Sequence, residues 1–188
     1  MVFSIISRLV NGVKEGVKAS LEGVTDIGSA IVDVVKNTAV STLKGTGEVV
    51  SKGIDATASI VKGAIFGVAD VGASVVGAIK GIVMGTINGV IEAGGQQDQA
   101  VKGAVSQAIH SAKELGLDIG DTAVEAVKGS VEAVKKVGGD AVEGTRQSII
   151  AALGAAKEIG EGAVTAVKDS LSAGVEGAKD IIDTIKED

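Results

Sequence analysis

Uncharged residues, most of them apolar, recur along this chain at steps of three, four and four. The resulting period of eleven runs through nearly its whole length. Counted from Val10, the steps reach Val13, Val17, Leu21, Val24, Gly28, Val32, Val35, Ala39 and Leu43. They continue through Thr46, Val50, Ile54, Thr57, Val61, Ile65, Val68, Gly72, Val76, Ile79, Val83, Ile87, Val90 and Gly94, and in the same phase to Ile182. Of the 48 positions visited only Asp98 is charged, whereas 22% of the chain is charged and chance would place about ten there. A period of eleven is about 3.67 residues per turn, so the stripe stays on one face of an α-helix with almost no drift. The pattern predicts an all-α protein built on a very long amphipathic helix. Such helices associate through a right-handed or nearly straight coiled coil.

Two further columns flank the stripe. One is small: Gly12, Gly23, Gly45, Ala56, Gly67, Ala78, Gly89, Ala100, Ser111, Ala133, Gly144, Ala155, Ala166 and Gly177. The other is basic: Lys14, Lys36, Lys80, Lys102, Lys113, Lys135, Arg146, Lys157, Lys168 and Lys179. The small border lets a neighbouring backbone approach; the basic border lays long stems over apolar surface and sends charged heads to water or phosphate. One interruption stands out, Gly94-Gly95-Gln-Gln-Asp98-Gln99. It divides a neutral, more apolar helix at 1–93 from an acidic one at 100–188, with 94–99 as break or hinge. A turn there would make an antiparallel helical hairpin. The unbroken phase of the stripe instead favours a continuous rod, about 280 Å long at 1.5 Å per residue.

Composition limits what could hold such a helix in place. The 188 residues include no Pro, Trp, Tyr or Cys, two Phe and 28 Gly. Absence of Pro suits long helix, but each interior Gly costs about 1 kcal/mol relative to Ala, so a lone helix would not persist. Partner helices or a lipid surface must order it. Residues 1–94 hold eight basic and eight acidic side chains, and residues 95–188 hold ten and sixteen. The acidic half would repel phosphate, which argues against a nucleic-acid partner. The start of the chain has no recognisable signal peptide.

Residues 64–91 are the candidate membrane segment. Val71–Ile91 carries one charge, Lys80, and is long enough to cross a hydrocarbon layer. Gly77, Gly81, Gly85 and Gly89 recur every four residues and, with Gly67, form a candidate helix-packing ridge. Lys80 at the centre of the segment would cost about 2.5–3.5 kcal/mol to insert, unless it faced a partner, lipid headgroups or a wet lumen. Spanning the bilayer, lying on its surface and remaining in a soluble helix assembly are all compatible with the sequence.

Val13-Lys-Glu-Gly-Val17, followed by further Val-, Thr- and Gly-rich elevens, resembles the repeats of synucleins; the texture is also similar to perilipins and, more loosely, to late-embryogenesis-abundant proteins. The resemblance implies a chain that is disordered alone and helical on lipid or on drying. The one-sided basic border and the regular small column depart from those families and favour helix–helix packing.

Catalytic chemistry is not evident. His110 is the sole His and falls in a polar column, where a solvated side chain is expected. No Cys or second His completes a metal cluster, and Gly45-Thr-Gly-Glu48 lacks the Gly-Lys-Ser/Thr ending of a phosphate loop. The expectation is therefore a non-enzymatic structural protein with no cofactor, metal or small-molecule substrate. Its partners would be itself, as a homo-oligomer, and a lipid membrane. A lipid-surface or stress-protective protein, or an oligomeric pore lined by Lys80, are the alternatives.

Overall fold

Glycine divides the stripe into short helices. In the computed structural model, which describes residues 2–46 and 53–185, Gly72, Gly94, Gly116, Gly138 and Gly160 all have positive φ and stand 22 residues apart. Five members of the eleven-residue frame are thus helix stops. Gly116 shows the device: φ 68° and ψ 28° place it in the left-handed region, and its N–H and that of Leu117 close on the last carbonyls of the helix before it. Two residues after such a glycine comes a polar residue that opens the next helix. Ser74 accepts from the Gly77 amide, Asp118 from Asp121, and Asp140 from Val142 and Glu143. Val50 of the stripe, and Gly47 and Glu48 of the loop-like tetrapeptide, lie outside the described residues.

The described residues form nine helices: α1 (Val2–Leu21), α2 (Ile27–Thr46), α3 (Gly53–Asp70), α4 (Val75–Glu92), α5 (Gln97–Leu115), α6 (Ile119–Lys136), α7 (Ala141–Ile159), α8 (Glu161–Gly174) and α9 (Ala178–Ile185). Neither the continuous rod nor the coiled-coil assembly expected from it is present. The turn near residues 94–99 exists, but it is one of a series. The physical reason lies in the count. From α4 onward a helix of 18 or 19 residues plus its turn spans 22 residues up to α7, twice eleven, so the stripe keeps phase through every bend. An unbroken phase is what a repeating hairpin must show as well.

Successive helices run antiparallel. Gly144 and Ser148 of α7 meet Val134 and Ser130 of α6, rising along one helix as they fall along the other. Alternate helices run parallel, since Gly63 and Gly67 of α3 meet Val10 and Lys14 of α1. Odd helices α1, α3, α5 and α7 thereby stack in one row and even helices α2, α4, α6 and α8 in a second, with α9 against α7 and α8. The stripe is the seam between rows. Val13, Val17, Val35, Val61, Ile65, Ile79, Val83, Ile87, Val101, Val105, Ile109, Val127, Ile149, Val167 and Leu171 are all fully buried in one continuous core. Each such side chain contributes about 1.5–3 kcal/mol of burial, enough to offset the glycine-rich backbone.

Candidate functional site

Within each row, helices dock through the small column. On α4, Gly81 faces Ile31 and Val32 of α2, Gly85 faces the Val32 carbonyl, and Gly89 faces Ala39 and the Lys36 carbonyl. A Cβ added to Gly85 would lie 2.5 Å from that Val32 oxygen, and one on Gly67 would lie 2.9 Å from the Lys14 oxygen. Gly103 of α5 meets the Ile54 carbonyl of α3, and Gly129 of α6 meets that of Lys80. Backbone therefore rests on backbone, at a spacing that only a missing side chain allows. The packing ridge read from the sequence falls on these contacts at Gly67, Gly81, Gly85 and Gly89. Gly77 instead lies in the first turn of α4 beside its cap, Ser74.

A ladder of ion pairs runs beside the glycines, with one rung per pair of row neighbours. Lys14 of α1 reaches Asp70 of α3 at 2.9 Å; Lys36 of α2 reaches Glu92 of α4 at 2.7 Å; Lys62 of α3 reaches Glu114 of α5 at 2.9 Å; Lys80 of α4 reaches Glu132 of α6 at 2.6 Å. His110 Nε2 of α5 lies 3.1 Å from Glu158 of α7 and takes the fifth rung. Lys80, the candidate for lipid or lumen contact, is 39% exposed and rests on Glu132. The basic border was legible in the sequence, whereas its acidic partners were not. They sit 48 to 56 residues away on a different helix, but Asp70, Glu92 and Glu114 do recur at 22, which is the signal that marks them.

Two rungs shift protonation. A hydrogen bond from Lys14, with its charge, holds the Asp70 carboxyl below its usual range, and Lys36 does the same to Glu92; the same contacts push both lysines up. A lowered carboxylate pKa stabilises the fold above the unfolded value and loses that contribution as pH falls through the folded one. A raised lysine pKa stabilises below the unfolded value and loses it as pH rises through the folded one. Chemical denaturation is therefore expected to show a stability plateau between about pH 5 and 10, with losses below about pH 4 and above about pH 10.5. Asp70→Asn and Glu92→Gln together should flatten the acid limb. An acid limb unchanged in that double variant would contradict the ladder.

Three concave sites lie on the surface. A cleft of about 240 Å³ at the C-terminal ends of α2, α4 and α6 is lined by Lys36, Asn88, Ile91, Glu92, Lys136 and Val137. A groove of about 440 Å³ runs between α5 and α7, past Ser106, Gln147 and the 41%-exposed Ile150. There α7 presents Gln147, Ala151 and Ala155 at the positions where α4 has Gly81, Gly85 and Gly89, and larger side chains hold the helices further apart. A third, of about 340 Å³, lies where α6, the start of α7 and the end of α8 meet. Among the described residues no group of three or more His, Asp or Glu side chains is placed to hold a metal ion. A scan against models of known protein families finds no match, and no curated protein matches the chain.

Proposed function

We propose that this chain is a non-enzymatic structural protein that assembles with itself by continuing its helix rows from copy to copy. The observation that carries this reading is the unused docking column on the first two helices. Gly45 of α2 stands one 22-residue step before Gly67, and Gly12 of α1 stands two such steps before Ala56. Both Gly12 and Gly45 are exposed, with no atom near the place of a Cβ. At the opposite end of the odd row, Val142 of α7 corresponds to Val10 of α1 six steps later and is 76% exposed. Lys168 of α8 corresponds likewise to the ladder residue Lys36 and has no partner among the described residues. An edge that offers glycine and an edge that offers apolar and basic side chains are complementary but unlike. Their association is head to tail, giving a filament or a closed ring.

Sedimentation of the full chain is the test: mass should rise with concentration above the 18.5 kDa monomer. Gly12→Gln with Gly45→Gln should leave a monomer that is more stable, since each replacement of an open helical Gly gains up to about 1 kcal/mol. A monomer at every concentration, or assembly indifferent to the double variant, would refute head-to-tail stacking.

Membrane association is a second reading, and α4 favours it. Val75–Glu92 is long and apolar enough to cross a bilayer, though 67% of it is buried inside this fold. Lipid contact through α4 therefore requires the rows to open. Vesicles of zwitterionic and of anionic lipid should then release α4 from hydrogen-exchange protection before α6; unchanged protection with either would count against a membrane role.

A further inference from the structure

We infer that the cleft at the C-terminal ends of α2, α4 and α6 binds a small hydroxy acid: a carboxylate with a short apolar chain and one hydroxyl. Asn88 carries the inference. It is 5% exposed, lines the cleft, and neither its Oδ1 nor its Nδ2 has a hydrogen-bond partner among the described residues. A buried carboxamide without partners is costly, and buried polar groups are nearly always satisfied. Buried Thr57 and Thr122 show the ordinary solution, each donating to the carbonyl four residues back. Asn88 has a free donor and a free acceptor in the same place, which a hydroxyl beside a carboxylate can engage together.

The rest of the cleft fits the same class of molecule. Lys36 and Glu92 neutralise one another at 2.7 Å, while Lys136 has no partner among the described residues. The cleft therefore holds a net positive charge and favours a monoanion. Ile91 and the 41%-exposed Val137 supply an apolar wall on either side, and about 240 Å³ suits a molecule of some six to nine heavy atoms. Carboxylate to Lys136 and Nδ2 of Asn88, hydroxyl to Oδ1, and alkyl chain against Ile91 and Val137 leave every group engaged. The site lies away from the exposed docking edge of α1 and α2 and does not depend on assembly.

Titration calorimetry on the full chain with sodium 2-hydroxyisocaproate as probe is the experiment. Saturable binding is expected, at least about tenfold weaker for isocaproate, which lacks the hydroxyl, and for the neutral methyl ester of the hydroxy acid. Asn88→Leu keeps the volume and should abolish binding while retaining the helical circular dichroism spectrum. Lys136→Gln, on the surface, should weaken it about tenfold. No heat from the hydroxy acid up to about 10 mM would overturn the inference. So would equal affinity for isocaproate, or binding unchanged in Asn88→Leu.

Discussion

Gly85→Leu is expected to destabilise the protein by about 3 kcal/mol or more, a large share of the 5–15 kcal/mol that holds a domain folded. The reason is what the new side chain would strike. Its Cβ would lie 2.5 Å from the Val32 carbonyl oxygen and 3.2 Å from both the Lys36 nitrogen and the Val35 Cβ, and two of these are main-chain atoms. A flexible side chain could swing aside; helix backbone cannot. The helices α2 and α4 must separate, and with them go the contacts of Gly81 and Gly89 along the same seam. Gly12→Ala provides the control of opposite sign. Nothing lies near its Cβ, so it should gain roughly 0.5–1 kcal/mol from backbone entropy alone. Urea unfolding of the two variants measures both. A neutral Gly85→Leu would mean that α2 and α4 do not touch.

Removing one eleven-residue unit from the middle of α5 should have a still larger effect. Deleting residues 101–111 keeps the stripe in phase on either side, so a long rod would merely shorten by about 16 Å. In the two-row stack it takes away buried Val101, Ala104, Val105, Ala108 and Ile109 and reduces α5 from 19 residues to 8. The three branched side chains alone account for about 4.5–9 kcal/mol of burial, and an eight-residue helix has little stability of its own. Loss of cooperative unfolding is expected. Deleting residues 95–138 instead removes α5 and α6 entire and joins Gly94 to Gly139. It preserves the alternation of rows, and that shorter protein should still unfold cooperatively. The contrast is readable by thermal circular dichroism: intolerance of eleven with tolerance of forty-four is the signature of the stack, and tolerance of eleven would belong to a rod.

Helix faces were legible in the sequence because they rest on local periodicity. Val61, Ile65, Ile79, Val83 and Ile87 fall on the core seam where the count of eleven places them, and the small column falls on row contacts at Gly67 and Gly89. Chain direction was not legible from that count, since a turn two residues long between cap and cap consumes the same phase as helix. The signal lay one level higher. Gly72-Ala-Ser74, Gly116-Leu-Asp118 and Gly138-Gly-Asp140 are each a helix-stopping glycine followed by a capping residue, spaced at 22 or a multiple of it. Read as ordinary members of the stripe, those glycines pointed to one helix; read as stops, they point to a stack. The ladder was hidden for a related reason, because Lys36 and Glu92 become neighbours only once α3 has been folded between them. Asn88 gave no sequence signal at all. A lone Asn in an apolar helix draws attention only when the structure shows it buried and without a partner.

Whether the chain folds back in rows is settled most directly by one distance. Spin labels at Asn37 and at Glu92, beside the rung that joins α2 to α4, should lie within about 30 Å of one another, a few helix spacings with the label arms included. The same two residues on a continuous helix would be about 80 Å apart. A distribution centred at the short distance in dilute solution supports the stack, and one centred near the long distance contradicts it.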